Sequence, residues 1–584
     1  MRLINSKTLE FKEFFDSELP PYAILSHTWG SEEVSFQDME QHLPSLETKE
    51  GYQKIKKTCF LAQNEESPID WVWVDTCCID KRSSAELTES INSMFRWYKQ
   101  ATVCYAHLSD WAPMRTQIDQ RGSTSRLEAS FANCRWFTRG WTLQELIAPA
   151  DVLFYDSAWE KRGSKMSLVQ QISEITGIEK DMLLGLSSVS DYSVAARMSW
   201  AAERHTTRVE DVAYCLFGIF DVNMPLIYGE GNKAFRRLQE EILQRNDDLT
   251  VFAWEPDAAD ITSNGWRYDL FATSPALFKC HVCPGPDSDQ RGMMIPSRIG
   301  QPTGRTINYR YSYDEASEYS ITRKGLQVQG VLYKLPKTSQ HNTACWEYFL
   351  ELGQLRFEQN DSDVWVVAIG IKMQKYGPGS FVRQDPQLTV VQLKDEKHRA
   401  AQARFFVSPD NQDIIQTSQN PYRNVVYAFD HTTIKEIRRA RPESHWDGES
   451  RMFFPARSKY GAFAALVTPA IPGAERRLLI VINQDKSKAF VWNYDGYDIS
   501  ALKAWFWRAR SPLEFEDWGT FRTQTRDDRG RDIELKNTAE VEVHGVKHVV
   551  EVIIEESDVN FQRGGHSWRV KQLTVSLELL DIKD

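Results

Sequence analysis

The sequence lacks the segments that place proteins in membranes or in the secretory pathway. No apolar run approaches the roughly 18 residues that a membrane helix needs. The amino-terminal segment MRLINSKTLEFKEFFDSELPP alternates charged and apolar residues, so it has no apolar signal-peptide region. The 9 cysteines are an odd number and are scattered along 584 residues, which is typical of a reducing cytosol. These absences predict a cytoplasmic protein without a membrane span.

Familiar catalytic and metal-binding motifs are also missing. The chain contains no HExxH, no G-x-S-x-G and no complete P-loop, because the GEGNKAF segment lacks the spacing and the Lys-Ser/Thr ending. Cys280 and Cys283 have metal-like spacing, but only Cys345 follows as a further thiol, so we predict no metal site. The net charge of −11 argues against nucleic acid as the main partner, since phosphate binding needs a basic surface.

Apolar and aromatic residues, in contrast, are plentiful. Hydrophobic residues make up 41% of the chain and aromatic residues 12%, which is ample for packed cores. A chain of 584 residues is too long for one core. Strand-like and helical segments alternate first, and period-two segments take over from about Trp254. We predict an α/β domain over 1–165, a helical extension over 166–253, and a β-rich accessory domain, sandwich or barrel-like, over 254–584.

Four buried, apolar segments indicate the strands of the first domain. They lie near residues 21–30, 70–76, 101–108 and 151–155, with helical segments between them. Alternation of this kind predicts a parallel sheet covered by helices on both faces. In a flavodoxin-like sheet, the order in which successive strands are added reverses between the first and third strands, and ligands bind there. This order would place residues 26–30 beside residues 107–110.

The segment 134–149, CRWFTRGWTLQELIAP, is a candidate functional site. Gly140 marks a break and Pro149 a stop, so a short helix is predicted between them. Trp141 and Glu145 share one side of this helix at i,i+4 spacing. The other side carries the aliphatic residues Leu143, Leu146 and Ile147. Two interpretations stay open: a tryptophan packed on a loop beside a solvated glutamate, or a pocket wall with a carboxylate at its floor.

Four segments in this order together resemble the fungal heterokaryon incompatibility (HET) domain. They are YAILSHTWG (22–30), WVWVDTCCIDK (71–81), ELTESINSMFRWYKQATVCYAHLSD (86–110) and RWFTRGWTLQELIAP (135–149). Residues 208–242 resemble the continuation found in many such proteins, so the resemblance covers roughly the first 250 residues. It implies an incompatibility or innate-immunity protein that causes programmed cell death when activated. The β-rich half would then sense a partner protein, restrain the HET domain or promote oligomerisation.

HET domains in turn are similar to TIR domains, which have a flavodoxin-like sheet. Some TIR domains hydrolyse NAD with a glutamate on the helix after the third strand, four positions after a tryptophan. Glu145 follows Trp141 at that spacing here. The resemblance therefore implies an NAD glycohydrolase that uses Glu145, takes NAD as its substrate rather than as a cofactor, and forms a homo-oligomer on activation.

The chemistry of this reaction suggests roles for further residues. A carboxylate can stabilise the oxocarbenium-like transition state, and nicotinamide leaves as a neutral base, so one glutamate suffices. Trp141 would enclose the nicotinamide, Arg139 would meet a phosphate, and Asp75 or Asp110 would bind hydroxyls. The pocket lining at the end of the first strand would consist of Ser26, His27, Trp29 and Gly30.

Less specific interpretations of the same residues are also open. His27 would be a satisfied strand-end histidine, Ser26 a cap of backbone groups, and Arg139 the partner of a neighbouring acid. Asp75 would cap a helix or turn. For the whole protein, the alternatives are a non-enzymatic scaffold that acts through self-association of its HET domain, and a sensor that binds NAD or ADP-ribose without cleaving it.

Overall fold

The architecture comes from a computed structural model of the full chain. It describes residues 1–41, 44–112, 131–246, 248–256 and 270–281 of the amino-terminal part. In the β-rich part it describes residues 318–322, 325–330, 332–334, 347–359, 364–377, 379–392, 403–407, 425–441, 443–448, 451–454, 462–474, 477–483, 488–494, 506, 536–543, 546–563 and 566–580. Cys283 and Cys345, considered above as thiol ligands, lie outside these ranges.

A mixed sheet of seven strands organises the amino-terminal part, in the order β2-β1-β4-β3-β5-β6-β7. Its strands are β1 (Arg2–Asn5), β2 (Phe11–Glu13), β3 (Tyr22–His27), β4 (Trp71–Trp73), β5 (Val103–His107), β6 (Val152–Tyr155) and β7 (Lys161–Ser164). The central strands β4, β3, β5 and β6 are parallel, and the flanking β1, β2 and β7 pair antiparallel. All six residues of β3 are buried, as expected for a central strand covered on both faces.

The parallel strands have the expected order, with the second beside the first and the third on its other side. The chain therefore crosses β3 between β4 and β5, and His27 pairs in register with His107 at this point. The predicted α/β class and the β-rich carboxyl-terminal part are confirmed. The TIR-like assignment stays a prediction. The antiparallel hairpin β1–β2 was not predicted from the sequence.

Helices connect the strands and then form the extension. The helices near the sheet are α1 (Phe36–Glu40), α2 (Glu50–Gln63), α3 (Ser84–Gln100) and α4 (Thr142–Ile147). The later helices are α5 (Val169–Thr176), α6 (Lys180–Leu183), α7 (Val194–Ser199), α8 (Asp211–Tyr214), α9 (Phe217–Phe220) and α10 (Lys233–Arg245). None of the helices in the described ranges has both the length and the apolar character required to cross a bilayer.

Helix α4 differs from the amphipathic helix that the sequence suggests. All six of its residues are buried, including Gln144 and Glu145. The expectation of a separate side without core contacts was therefore wrong for this helix. It is enclosed because β3, α3 and a 3-10 helix at Arg135–Thr138 all contact it.

The described residues of the β-rich part form three sheets. The first has the order β10-β11-β12-β13-β14-β9-β8, the second β17-β18-β15-β24-β23-β22, and the third β16-β19-β20-β21. Their strands are β8 (Glu318–Thr322), β9 (Gly325–Gly330), β10 (Leu332–Lys334), β11 (Glu347–Gln359), β12 (Val364–Gly377), β13 (Ser380–Gln392), β14 (Ala403–Val407), β15 (Val425–Phe429), β16 (Ile434–Arg441), β17 (Trp446–Asp447), β18 (Met452–Phe453), β19 (Ala462–Pro469), β20 (Leu478–Asn483), β21 (Lys488–Asn493), β22 (Thr538–Val543), β23 (Val546–Arg563) and β24 (His566–Leu580).

Among the residues that the structure describes, two large apolar cores hold these elements together. One runs from Leu3 to Val407 and joins the mixed sheet, the helices and the first β-rich sheet. The other runs from Tyr427 to Leu577 and contains residues of both remaining sheets, which is the packing of a β-sandwich. The three-part division of the chain, with its boundaries at 165 and 253, stays a prediction.

Candidate functional site

A buried chain of polar side chains links β3 to α4. The hydroxyl of Ser26 donates to Glu145 Oε2 at 2.5 Å and accepts from the indole Nε1 of Trp136 at 2.7 Å. Only 6% of Glu145 is exposed, and Ser26 and Trp136 are fully buried. Glu145 is therefore not a solvated surface acid, and Ser26 bonds side chains rather than only capping backbone groups.

The environment of Glu145 favours the protonated acid. Burial raises the pKa of Glu145 to about 8, and the negative charge of Asp75 acts in the same direction. Hydrogen bonds with Ser26 and Tyr98 and the positive charge of Arg204 oppose this rise in pKa. At neutral pH the carboxyl group is therefore mostly uncharged, and a change in its surroundings is needed to ionise it.

His27 lies beside this chain between two acids. Its Nε2 is 3.5 Å from Glu33 Oε2, and its Nδ1 is 3.9 Å from Asp75 Oδ1. Glu33 also accepts from the Gly30 backbone N–H at 2.7 Å and from Lys54 Nζ at 2.5 Å. Although burial alone would raise it, the contacts with His27, Lys54 and Gly30 lower the pKa of Glu33 to about 2. Glu33 is thus a permanent anion at the end of β3.

His107 lies on the neighbouring strand β5, where an aromatic ring rather than two acids surrounds it. Burial and the nearby His27 lower the pKa of His107 to about 3, so its ring is neutral. The ring stacks on Trp159 with centroids 4.1 Å apart. We therefore regard His107 as a packing residue of the sheet edge rather than as a proton carrier.

Trp29 forms the exposed rim of the site. The residue is 47% exposed, and its indole Nε1 donates to Asp75 Oδ2 at 2.8 Å. The ammonium group of Lys81 lies 3.8 Å from the centre of the ring, and Arg135 donates to the Trp29 carbonyl at 3.5 Å. These contacts hold a large aromatic surface in place beside two cations, which suits a negatively charged ligand with an aromatic group.

Three predicted residues have other partners. Trp141 precedes α4 and is hydrogen-bonded to Asp211 of α8, so the indole bonded to the Ser26–Glu145 pair is that of Trp136. Arg139 donates to the hydroxyl of Thr207 at 3.3 Å. Asp110 accepts from the backbone N–H of Arg135 at 2.8 Å and caps the 3-10 helix there. The hydrogen bonds of Trp141, Arg139 and Asp110 therefore go to partners other than Glu145.

The remaining predicted residues do meet at the end of β3. Glu145 contacts Ser26, and Asp75 joins His27 to Trp29. Sequence reasoning missed several of their partners, namely Glu33, Lys54, Lys81, Tyr98, Arg135, Trp136 and Arg204.

Within the described ranges, no three His, Cys, Asp or Glu residues lie close enough to hold a metal. A cavity of about 580 Å³ lies along α3 and Leu226 and is lined by none of the predicted site residues.

Comparisons with known proteins define the class. The profile of the heterokaryon incompatibility protein (HET) family matches residues 22–121, and that of a domain of unknown function (DUF8212) matches residues 233–279. Residues 22–121 therefore resemble the HET family, as the motifs predict. It is 49% identical over 234 residues to the vegetative incompatibility protein HET-E-1 of Podospora anserina. This match covers 40% of the chain and 17% of that relative's length. No solved structure matches the chain.

Proposed function

We propose that this protein is a cell-death effector of heterokaryon incompatibility whose HET domain hydrolyses NAD to nicotinamide and linear or cyclic ADP-ribose. The HET match and the likeness to a vegetative incompatibility protein support the biological role. The observation that carries the chemistry is the carboxyl group of Glu145, which is buried and bonded to Ser26 beside the carboxyl end of β3. Ligands of open parallel sheets bind at such ends.

The proposed reaction breaks the bond between the ribose C1′ and the nicotinamide nitrogen. The bonding electrons leave with the nitrogen, and positive charge develops on the ribose. Ionised Glu145 stabilises this charge, and Ser26 holds the carboxylate in place through its hydroxyl. A water molecule then attacks C1′ and loses a proton to solvent, or the adenine attacks C1′ and gives the cyclic product.

The exposed rim would hold the rest of the dinucleotide. Trp29 offers its indole for stacking, and Asp75 is positioned to accept from a ribose hydroxyl. Lys81 and Arg135 carry the positive charge that a diphosphate requires, and both lie against Trp29. We transfer the phosphate role from Arg139 to this pair because Arg139 is bonded to Thr207 instead.

The buried acid also explains how a toxic activity is held off. Burial shields Glu145 from solvent and raises its pKa to about 8, which favours the protonated acid near neutral pH. Self-association of the HET domain in the cytoplasm would shift the surrounding elements and open the site. The β-rich half would control this step by binding a partner protein.

The test is nicotinamide release from NAD by the purified full chain, over a range of protein concentrations. We expect Glu145→Gln to reduce the rate by about a hundredfold or more, because one electrostatic contact with the transition state is lost. The matched control is Glu240→Gln, which changes a partly exposed acid of α10 that is paired with Arg236 at 3.1 Å. Absence of turnover at every concentration, or undiminished turnover in Glu145→Gln, would overturn the catalytic assignment.

A second candidate is an NAD or ADP-ribose sensor. The observation that favours it is the separation of the exposed rim around Trp29 from the buried Glu145. Calorimetry that detects ADP-ribose binding, lost in Lys81→Ala, together with no nicotinamide release would support this function. Cell death that persists in both Glu145→Gln and Lys81→Ala would instead support a non-enzymatic scaffold.

A further inference from the structure

The segment that follows α7 pairs with the chain just before α4. The backbone N–H of His205 donates to the carbonyl of Thr138 at 2.6 Å, and Gly140 N–H donates to the His205 carbonyl at 2.9 Å. A bridge joins Arg139 to His205 in parallel orientation. The approach is close, since a Cβ on Gly140 would lie 2.6 Å from Thr206 Cγ2. The helical extension thus fixes the entry to the helix that carries Glu145.

Arg204 continues this contact to the first residue of α4. It is buried, and its Nη1 donates to the Arg139 carbonyl at 3.0 Å and to Thr142 Oγ1 at 2.9 Å. Its Nε donates to the Trp200 carbonyl at 3.2 Å. The second terminal nitrogen, Nη2, is buried without a hydrogen-bond partner in the described part of the chain. A buried guanidinium with a free N–H is costly unless an anion is close by.

Glu145 is an acid whose charge acts on Arg204. It lies three residues after Thr142 on the same helix, and its charge favours the protonated form of Arg204. The charge of Arg204 in turn lowers the pKa of Glu145. Cys215, which follows α8, acts on Arg204 in the same direction as Glu145. The other titratable or charged groups that act on Glu145 or face α4 are Asp75 after β4, Tyr98 on α3, Cys104 on β5 and Lys165 after β7. Of these, Lys165 donates to the Leu146 carbonyl at the far end of α4.

We propose that Arg204 is a positioning residue through which the helical extension controls the site, holding α4 in place and supplying the positive charge that allows Glu145 to ionise. This role of Arg204 extends the proposed function, and its effect on catalysis depends on that function. Its electrostatic part concerns Glu145 alone and is measurable without turnover.

The experiment follows the carboxyl group of Glu145 by infrared difference spectroscopy. Spectra of the full chain against Glu145→Gln isolate the carboxylic acid band, whose loss with rising pH gives a titration midpoint. We expect Arg204→Gln to raise this midpoint by about one pH unit or more, because a buried positive charge is removed. Arg204→Lys, which keeps the charge, should leave it close to that of the unaltered chain.

Arg197→Gln is the matched control. Arg197 is also a buried arginine of the extension, and it donates to the Ile219 carbonyl at 3.2 Å rather than to α4. Its substitution should lower stability without moving the midpoint. Equal midpoints in Arg204→Gln and Arg197→Gln would overturn the proposal. If Arg204→Gln does not fold, the proposal is tested with Arg204→Lys, which keeps the positive charge. A titration midpoint of Glu145 that rises by a full pH unit in Arg204→Lys would also overturn the proposal.

Turnover provides the second readout. In the pH profile of nicotinamide release, the acidic limb should move to higher pH in Arg204→Gln by as much as the infrared midpoint does. In Arg197→Gln the acidic limb should not move. A chain that releases no nicotinamide would sink the proposed enzyme, while the infrared midpoints would still decide the role of Arg204.

Discussion

Replacing Glu145 by glutamine should change how the stability of this protein depends on pH. The pKa of Glu145 is raised from 4.5 to about 8 by burial, so the folded chain binds this proton more tightly than the unfolded chain. The stabilisation by the bound proton is complete below the unfolded pKa and is lost as the pH rises through the folded pKa. Glutamine resembles the protonated acid at every pH, so the variant should not show this loss.

The size of the effect follows from the shift. Each pKa unit corresponds to about 1.4 kcal/mol, so the shift of Glu145 predicts a loss of about 4–5 kcal/mol between acidic and alkaline pH. Ionisation of a buried acid also draws in water and moves neighbouring groups, which makes this figure an upper value. For a unit of the size of the HET region, a loss of this size lowers the melting temperature by roughly 10 °C.

The assay is thermal unfolding of the full chain and of Glu145→Gln at about pH 5 and about pH 8. The variant should melt above the unaltered chain at the higher pH, and the difference should shrink at the lower pH. Glu240→Gln, a partly exposed acid paired with Arg236, is the control and should follow the unaltered chain. Parallel changes in the chain and in Glu145→Gln would refute the reasoning, since Glu145 would then already be ionised in the fold.

Two further substitutions test the packing of the site. Trp136→Phe keeps a buried aromatic ring but removes the 2.7 Å hydrogen bond to Ser26. We expect the free energy of unfolding, measured in urea, to fall by about 1–2 kcal/mol. Nicotinamide release should also become slower. Gly140→Ala places a methyl group 2.6 Å from Thr206 Cγ2 and should lower the unfolding free energy by about 1–3 kcal/mol. Gly448→Ala, whose new Cβ lies an ordinary 3.5 Å from its neighbour, should leave stability nearly unchanged in the same assay.

The mixed sheet could be predicted in most respects from local patterns. Two of the helical segments predicted between the strands are found at Glu50–Gln63 and Ser84–Gln100. The crossing of the chain at β3 agrees with the flavodoxin-like strand order that was expected for this alternation of strands and helices. The hairpin β1–β2 was missed because its strands are only four and three residues long and carry charged residues. Its position depends on the pairing of Ile4 with Val72, which no local pattern reports.

The identity of the tryptophan next to Glu145 could not be predicted in the same way. The i,i+4 argument for Trp141 assumes that its side chain follows the helix face. Trp141 instead turns to Asp211, and Trp136 reaches Ser26 from a separate 3-10 helix. The break between these tryptophans at Gly140 is fixed by residues 205–206, more than sixty positions away. Long-range packing of this kind leaves no periodic signal in the sequence.

The charge of the substrate offers a way to ionise the buried acid under the proposed function. The nicotinamide ring of NAD is a cation, whereas that of NADH is neutral. A unit charge at about 4 Å contributes about 4 kcal/mol at an effective dielectric constant of about 20, which is close to the shift that burial imposes on Glu145. Bound NAD would thus assist Arg204 and favour the carboxylate that the transition state requires.

NAD should therefore remove the carboxylic acid band of Glu145 at neutral pH, and NADH should not. The two ligands share their diphosphate and adenosine, so binding at Trp29 and Lys81 alone would affect the band equally. Titration of the full chain with each ligand in the infrared experiment distinguishes these cases, with Glu145→Gln giving the background. Equal spectra with NAD and NADH would mean that the nicotinamide ring does not reach Glu145, and the acid would then have no part in cleaving the glycosidic bond.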